Sequence, residues 1–366
     1  MASKADVESA RELVAGLVKE LMKLGANFVV PVDAEPVREI DGLPICFDWL
    51  VWRAIRESWT LRPRGTPDPV AIAVQHHKTE EQIPESFAAL WDELRESPQV
   101  KIENAAFWNM ASKRLEAQSR FGDILVALGG SEGVLYLANL YHDAGRPVVP
   151  LNLALCSENT GARRLYNFGL TSRNSRRLFE SADDGDSHDW INKIRFPSRQ
   201  STSDRVSALV ELLESLERPI AFAVRLLNEE HADFADVQTF FDTIVQPIIE
   251  GELGYRLVTV DGRQGYDHPR IDQEIFVKLH RSSVVLAELT GLRPNCLLEL
   301  GYALGRCLPT MVMAREGADL PFDIKTFSGL HWKMSGGLDD KRRAFREHWQ
   351  AIRSRPPLVP AEPLIP

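Results

Sequence analysis

One glutamate is a candidate catalytic group because it lies among apolar residues at helical spacing. Glu299 is flanked by Leu298 and Leu300, in a segment that begins at Pro294 and ends at Pro309. Apolar runs on both sides predict the order strand, helix, strand of a parallel sheet. Open α/β sheets bind ligands at the carboxyl ends of their strands, where this helix begins. Two interpretations stay open: a carboxylate stabilised by the helix N-terminus, or a catalytic carboxylate in a pocket.

Several spaced motifs surround this glutamate. In chain order they are Ile271-Asp272-Gln273-Glu274-Ile275, Ala287-Glu288-Leu289-Thr290-Gly291, Pro294-Asn295-Cys296 and Glu299-Leu300-Gly301-Tyr302-Ala303-Leu304-Gly305. Together they resemble the nucleoside 2-deoxyribosyltransferase-like superfamily, a relative of TIR domains. The resemblance extends from about Pro219 to Trp332.

This resemblance implies chemistry at an N-glycosidic bond. Glu299 inherits the role of nucleophile or charge stabiliser at the ribose carbon. Glu288 replaces the usual Asp of the superfamily with a longer arm of the same charge, and we count it among the catalytic candidates. Asp272 or Asp261 is the candidate proton donor to a purine leaving group, whereas a nicotinamide needs none.

Other residues of this region are candidate ligand contacts. Asp261 ends a predicted strand, and its alternative role is a strand-end cap. For Asp272 the alternative is a surface charge on a helix. Asn295 either holds a ribose hydroxyl or caps the helix of Glu299. Tyr302 is a further expected ligand contact, while Cys296 is expected to pack rather than react.

A second candidate site is the glycine-rich segment Ala127-Leu128-Gly129-Gly130-Ser131-Glu132-Gly133. It follows a predicted strand and precedes a predicted helix. The loop residues proposed to bind a ligand are Gly129, Gly130, Ser131, Glu132 and Gly133. Backbone N–H groups in such a loop can hold a phosphate or ribose, although glycines also serve plain tight turns.

With the following stretch AGRPVVPL, this loop resembles the SLOG superfamily of lysine-decarboxylase-like, DprA-like and nucleotide-sensing domains. The resemblance covers about Gly25 to Leu178. Leu128 replaces the proline of the enzymatic branch, and Tyr136 and its neighbours stand where that branch has a glutamate. This departure favours binding over catalysis here. The first strand that such domains carry before the opening helix is also missing.

The segment from Ser157 to Arg199 is rich in polar residues and is expected to be a solvated excursion of the first domain. Its functional alternative is that Arg163 and Arg164 bind a phosphate, because the planar guanidinium matches phosphate geometry. The segment PSRQSTSD is the expected linker. Ser203 or Asp204 is the expected N-cap of the helix after it.

Composition bounds the remaining possibilities. The chain has 366 residues, a length typical of two or three domains, and a net charge of -9, which argues against broad nucleic-acid binding. It lacks an apolar run of about 20 residues and the apolar core of a signal peptide, so we expect a cytoplasmic protein without a membrane partner. The four cysteines form no CxxC pair, so no metal site is predicted.

Helices alternate with short apolar strands along the chain. The predicted helices are Ala5–Leu24, Phe47–Trp59, Glu81–Arg95, Met110–Arg120, Gly133–Ala144, Asp233–Ile249, Pro269–Leu279, Cys296–Leu308 and Leu338–Ser354. The predicted strands are Asn27–Val32, Pro69–Val74, Val100–Ile102, Asp123–Leu128, Pro147–Pro150, Pro219–Leu226, Tyr255–Val260, Val284–Ala287, Thr310–Met313 and Leu330–Trp332. This alternation predicts an α/β fold of two doubly wound, mainly parallel Rossmann-like (flavodoxin-like) domains, residues 1–199 and 200–366.

A nucleotide sensor joined to a nucleotide-degrading domain is the architecture of bacterial antiviral effectors, and the two resemblances imply that function. A signal nucleotide would bind near Gly129–Gly133 and favour a state in which Glu299 cleaves NAD or a related nucleotide. A homo-oligomer is expected, and no cofactor beyond the nucleotide is required. Two alternatives stay open: non-catalytic sensing or assembly by both domains, and cleavage of nucleotide monophosphates by the first.

Overall fold

The computed structural model describes residues 2–44, 46–63, 66, 69–76, 78–106, 111–179, 187–197, 199–216, 218–260, 271–327 and 329–353. The chain divides into two compact units, Met1–Glu217 and Arg218–Glu362. Among the described residues, no helix is long and apolar enough to cross a membrane.

The first unit alternates helices and strands as predicted. Its elements are α1 (Lys4–Lys23), β1 (Phe28–Pro31), α2 (Asp48–Ser58), β2 (Ala71–His76), α3 (Thr79–Gln82), α4 (Ala88–Glu96), β3 (Val100–Ala106), α5 (Ala111–Phe121), β4 (Leu125–Leu128), α6 (Glu132–Asp143), β5 (Val148–Leu151), α7 (Gly161–Phe168), α8 (Ser172–Leu178), α9 (Ser187–Lys193) and α10 (Thr202–Ser215). All named strand pairs are parallel, which confirms the fold class.

The strands of this unit form two sheets, not the single sheet that the pattern suggests. One has the order β1-β2-β3, and the other pairs β4 with β5. Helix α1 contributes to the cores of both, through Val18 and Met22 on the side of β1 and through Leu13 and Leu17 on the side of β5.

Three local predictions need correction. Pro84 divides the predicted helix Glu81–Arg95 into α3 and α4, because proline has no N–H to donate within a helix. The polar excursion after Ser157 is not merely solvated, since it folds into helices and buries Tyr166 and Ile191 in the core. Helix α10 begins two or three residues earlier than expected, with Ser201 as its N-cap in place of Ser203 or Asp204.

The division of the chain into domains at residues 199 and 200 remains a prediction. In the contact division α10 belongs to the first unit, because it packs on α1. Its buried face, with Leu209 and Leu212, lies in the same core as Leu13 of α1.

The second unit has the predicted flavodoxin-like strand order. Its elements are β6 (Ile220–Val224), α11 (Phe234–Phe240), which continues with π-helical turns to Glu252, β7 (Arg256–Val258), α12 (Ile271–His280), β8 (Val284–Glu288), α13 (Pro294–Gly305), β9 (Thr310–Arg315), α14 (Phe322–Lys325), β10 (Leu330–Trp332) and α15 (Leu338–Arg353). The sheet order β7-β6-β8-β9-β10 is all parallel. Strand order reverses between β6 and β8, which are central and buried, and ligands bind such sheets at that point.

Candidate active site

Glu299 lies on α13, the helix that follows β8 at the reversal point. It is the sixth residue of that helix and therefore lies in the second turn, not the first. The backbone charges of a helix end act mainly within the first turn, so the helix dipole stabilises this carboxylate little. Helix α13 also contacts β6, which places Glu299 beside both central strands.

The environment of Glu299 is apolar and partly closed. Burial raises the pKa of its carboxyl to about 7. Among the described residues, no charged side chain shifts that pKa measurably and no hydrogen-bond partner of the carboxyl is found. A carboxylate stabilised by a helix terminus has a lowered pKa, whereas burial raises the pKa of Glu299, and its role remains a prediction. Both protonation states are populated near neutral pH.

Cys296 lies one turn before Glu299 and is buried. Its thiol donates a hydrogen bond of 3.6 Å to the carbonyl oxygen of Arg225 at the end of β6. Burial, followed by the charges of Glu299 and Glu288, raises its pKa to about 12. The thiol is therefore protonated and packs, as predicted.

Glu288 ends β8 and is fully buried. Its Oε1 accepts hydrogen bonds from the backbone N–H of Thr290 at 3.1 Å, from the Thr290 hydroxyl and from the indole of Trp332 at 3.3 Å. Burial raises its pKa despite these bonds. Glu288 is thus enclosed by the protein, where it holds the loop after β8. Its catalytic role remains a prediction.

Arg225 follows β6 and is a cation that the sequence reasoning overlooked. Its guanidinium lies 4.3 Å from the ring centre of Phe241 and bonds the side chain of Gln238. Burial lowers its pKa, which the charges of Asp242 and Glu288 partly offset. The polar run at residues 228–233, after the first strand of the second unit, is the signal that could have drawn attention to this loop.

The turn between β8 and α13 is held in an uncommon backbone conformation. Gly291 has φ 83° and Leu292 has φ 45°, a left-handed value that is rare for a branched apolar residue. A Cβ on Gly291 would lie 2.9 Å from the ring of His231, which belongs to the loop after β6. The two loops therefore meet at the reversal point, and strain of this kind is frequent at functional sites.

An ion-pair group closes the same edge on the side of β9. Arg315 Nη1 lies 2.8 Å from Asp233 Oδ1 and 2.7 Å from Asp236 Oδ2, and its backbone N–H donates to Thr290 at 2.8 Å. These bonds connect the end of β9 to the loops after β6 and β8. They build the wall of the site rather than its reacting groups.

The other predicted site residues of the second unit lie at separate positions along the chain. Asp272 is exposed in the first turn of α12, which begins at the carboxyl edge of the sheet. Asn295 is exposed inside α13, whose N-cap residue is Arg293, so Asn295 does not cap the helix. Tyr302 lies one turn beyond Glu299, and its hydroxyl forms a hydrogen bond of 2.7 Å with His280 Nδ1. Asp261 lies outside the described residues.

The glycine loop of the first unit lies directly after β4, as predicted. Gly129 and Gly130 have φ values of 57° and 74°, which only glycine adopts without strain. Residues 130–133 are exposed, and Ser131 is the N-cap of α6 without a side-chain capping bond. The first N–H groups of α6 are therefore accessible at the carboxyl edge of the sheet.

A second helix begins against this loop. The backbone N–H of Ala162, in the first turn of α7, donates a 2.9 Å bond to the Gly129 carbonyl. A Cβ on Gly161 would lie 2.2 Å from that same oxygen, so the close approach requires glycine. The N-terminus of α7 is thus occupied by carbonyl oxygens of the loop, whereas the first N–H groups of α6 remain exposed and favour an anion.

The two predicted arginines differ in their surroundings. Arg163 donates to Asn152 at 3.3 Å, to the Cys156 carbonyl at 3.1 Å and to Glu158 at 2.9 Å. These bonds use its guanidinium to shape the loop before α7. Arg164 is exposed on α7, and its phosphate contact remains a prediction.

A group of carboxylates at the carboxyl edge of β1 was missed by the sequence reasoning. Burial raises the pKa of Asp48 to about 7, with the charge of Arg114 acting against the charges of Asp33 and Glu35. Arg114 also forms an ion pair with Asp33. Burial likewise raises the pKa of Glu35. Acidic residues spaced along a loop gave no periodic signal that could have marked them.

These two units, with parallel sheets and polar groups gathered at the carboxyl edges, define a protein of the Rossmann-like α/β class. The chain belongs to the family described as ATP nucleosidase Cap17-like, N-terminal, which matches residues 1–213. The match covers more than half of the chain and ends inside α10, so the second unit lies outside it.

Two characterised relatives are both named ATP nucleosidase Cap17, one from Escherichia coli strain KTE188 and one from Escherichia coli. Each is 25% identical to this chain over 175 residues. The match covers 44% of this chain and 32% of the relatives, so it spans about a third of their length.

Proposed function

We propose that this chain cleaves the N-glycosidic bond of an adenine nucleotide, with ATP as the first candidate substrate and NAD as the second, as an effector of bacterial antiviral defence. The observation that carries the proposal is Glu299, a partly buried carboxyl with a pKa near 7 at the strand-order reversal. The name of the relatives, ATP nucleosidase, supports the choice of ATP.

Glu299 would act on the ribose. Breaking the bond to the base builds positive charge on C1′ and the ring oxygen, which an ionised carboxylate stabilises or captures as a ribosyl ester. Water then supplies the hydroxyl at C1′ and its remaining proton restores the acid, so that ATP would give adenine and ribose 5′-triphosphate. An adenine leaving group takes up a proton, for which Asp272 is the candidate donor. An apolar surrounding strengthens each of these electrostatic effects.

The first unit would bind a nucleotide through its phosphates. The exposed N-terminus of α6 at residues 130–133 supports that role. Arg164, exposed on α7, is the proposed cation for those phosphates. A signal nucleotide that binds the active state more tightly than the inactive state would shift the protein toward the active state.

The test is to incubate the purified chain with ATP, NAD and deoxynucleosides and to measure free base by chromatography. Release of adenine or nicotinamide should disappear in Glu299→Gln with nucleotide binding retained. Glu316→Gln is the matched control, because Glu316 is an exposed carboxylate just after β9 whose ion pair with Lys333 is long, at 3.6 Å. Turnover that survives in Glu299→Gln would refute the assignment.

A second candidate places the reaction in the first unit. The observation in its favour is Asp48, whose pKa is also raised to about 7, in the part of the chain that the family match covers. Loss of base release in Asp48→Asn, with full activity in Glu299→Gln, would select this candidate. No free base from any substrate, with or without extract from virus-infected bacteria, would select the non-catalytic alternative, in which both units bind nucleotides.

A further inference from the structure

The first unit carries an open apolar pocket at the amino edge of its strands. We call it the basal pocket, with a volume of about 360 Å³. It is lined by Leu21 and Leu24 of α1, Ile124 and Val126 of the β4 region, and Leu213 and Glu214 of α10. It also reaches the turn that leads into β1, so it lies where the two sheets of this unit meet without hydrogen-bonded strands.

The opposite edge of the same unit carries an apolar projection. Residues 37–44, which we call the hairpin arm, follow β1 and are joined by an antiparallel bridge between Val37 and Pro44. The side chains of Ile40 and Val37 are 73% and 55% exposed. Two exposed branched apolar side chains on one short arm form an apolar projection that gains free energy when another apolar surface covers it.

The hairpin arm is ordered by its own polar contacts. Arg38 pairs with Asp41 at 3.2 Å, and both side chains are largely buried. Arg38 also donates a 2.8 Å bond to the carbonyl of Ala2, just before α1. An arm held in one conformation loses little entropy when it binds, so it is suited to docking.

Helix α1 sets the distance between these two surfaces. The arm is tied to the start of α1 through Ala2, whereas Leu21 and Leu24 place the pocket at its end. The helix has 20 residues and is therefore about 30 Å long. The arm of one copy cannot reach its own pocket across that length.

We propose that the hairpin arm of one copy of this chain inserts Ile40 and Val37 into the basal pocket of the next copy. The two surfaces differ, so the contact is heterologous, and repeated head-to-tail contacts give a ring or an open filament. Both surfaces belong to the first unit.

A small ligand is the competing occupant of the pocket. Ligand sites combine apolar walls with several convergent polar groups that fix orientation. The basal pocket offers one carboxylate, Glu214, and is open to solvent. An apolar side chain needs no such groups, and the same unit presents two exposed ones.

The test is sedimentation velocity of the full chain over a concentration series, with and without ATP, together with electron microscopy of negatively stained samples. Three variants are compared. Ile40→Asp alters the arm, Leu24→Asp alters the pocket rim, where Leu24 is 52% exposed, and Leu170→Asp alters an exposed apolar residue outside both surfaces. Thermal unfolding checks that each variant folds, and Leu213→Asp replaces Leu24→Asp should that variant fail.

We expect concentration-dependent oligomers of the unmodified chain and of Leu170→Asp. Ile40→Asp and Leu24→Asp should each weaken association by about a hundredfold, because each buries an unpaired charge. An equimolar mixture of these two should form dimers that grow no further, since one variant keeps an intact pocket and the other an intact arm.

Three results would overturn the proposal. The first is that the unmodified chain stays monomeric at every concentration, with and without ATP. The second is that the mixture forms no dimers although each variant alone is monomeric. The third is that Ile40→Asp associates like the unmodified chain while Leu24→Asp does not, as a small-molecule pocket or another contact would require.

Discussion

The indole nitrogen of Trp332 donates a hydrogen bond of 3.3 Å to Glu288, which lies 44 positions earlier in the chain. The bond passes over β9, since β8 and β10 are both its neighbours in the sheet. The ring of Trp332 also stacks on Phe240, with ring centres 4.5 Å apart. Glu288 therefore fastens the last strand of the second unit to the loop that precedes Glu299.

Replacement of Glu288 separates this structural role from catalysis. Glu288→Gln keeps Oε1 as an acceptor and should change stability little, because Oε2 has no hydrogen-bond partner among the described residues. Glu288→Ala leaves the donors of Thr290 and Trp332 unsatisfied and should cost about 2–4 kcal/mol. Urea unfolding measures both. Loss of turnover in a fully stable Glu288→Gln would instead assign the carboxylate to the reaction.

The raised pKa of Glu299 predicts a stability that depends on pH. A carboxyl whose pKa rises from 4.5 to about 7 on folding binds more protons in the folded state. The free energy of unfolding therefore falls as pH rises from about 4.5 to about 7, and the penalty persists above that range. Glu299→Gln removes it and should stabilise the protein at pH 8 by about 1–2 kcal/mol, after allowance for partial solvent access.

Thermal unfolding at pH 5 and pH 8 measures this effect, with Glu316→Gln as the control. The difference between Glu299→Gln and the unmodified chain should be small at pH 5. Equal effects at both pH values would show that the carboxyl is not buried in the folded protein.

The pH dependence of turnover tests which form of Glu299 acts. An ionised carboxylate at C1′ predicts that kcat falls by about tenfold per pH unit below a pKa near 7. Measurement of kcat for base release between about pH 5 and pH 9 shows whether this fall occurs. A profile that instead falls above pH 7 would assign Glu299 as the general acid and contradict the proposed role.

Two glycines of the first unit provide a test variant and a matched control for nucleotide binding at the glycine loop. Gly161→Ala places a Cβ 2.2 Å from the Gly129 carbonyl at a φ of 48°, and should cost about 3 kcal/mol or displace the loop. Gly133→Ala meets no atom within 4 Å and should be tolerated. Calorimetric titration with ATP should show weaker binding for Gly161→Ala alone. Equal binding by both variants would remove the loop from the nucleotide site.

The ion pairs of Arg315 should contribute more than a comparable surface pair. Arg315→Ala leaves Asp233 and Asp236 without their cation and should lower stability by about 1–2 kcal/mol. Lys325→Ala, which breaks a pair with the exposed Asp319, should lower it by less than Arg315→Ala does. Denaturant unfolding at low and high salt compares them. Equal losses would show that the wall of the site is fully solvated.

Much of the fold was predictable from local pattern. Apolar runs of strand length and helical periodicity depend on neighbours in sequence, so β8, α13 and β9 begin and end close to where Pro294 and Pro309 indicated. The helices after Ser157 were missed because their buried residues, such as Tyr166 and Ile191, are separated by charged positions. The split of the first sheet has no signature in any single strand.

The sequence by itself determined which residues carry polar chemistry next to which strand: Glu299 after β8 and the glycines after β4. Only the tertiary structure decided what those residues experience. Glu288 and Glu299 are both carboxylates beside apolar neighbours in sequence, yet one is bonded to Trp332 and fully buried, while the other is left without a partner among the described residues. The reason is physical, because a pKa depends on the atoms within a few ångströms in space, and those come from distant parts of the chain.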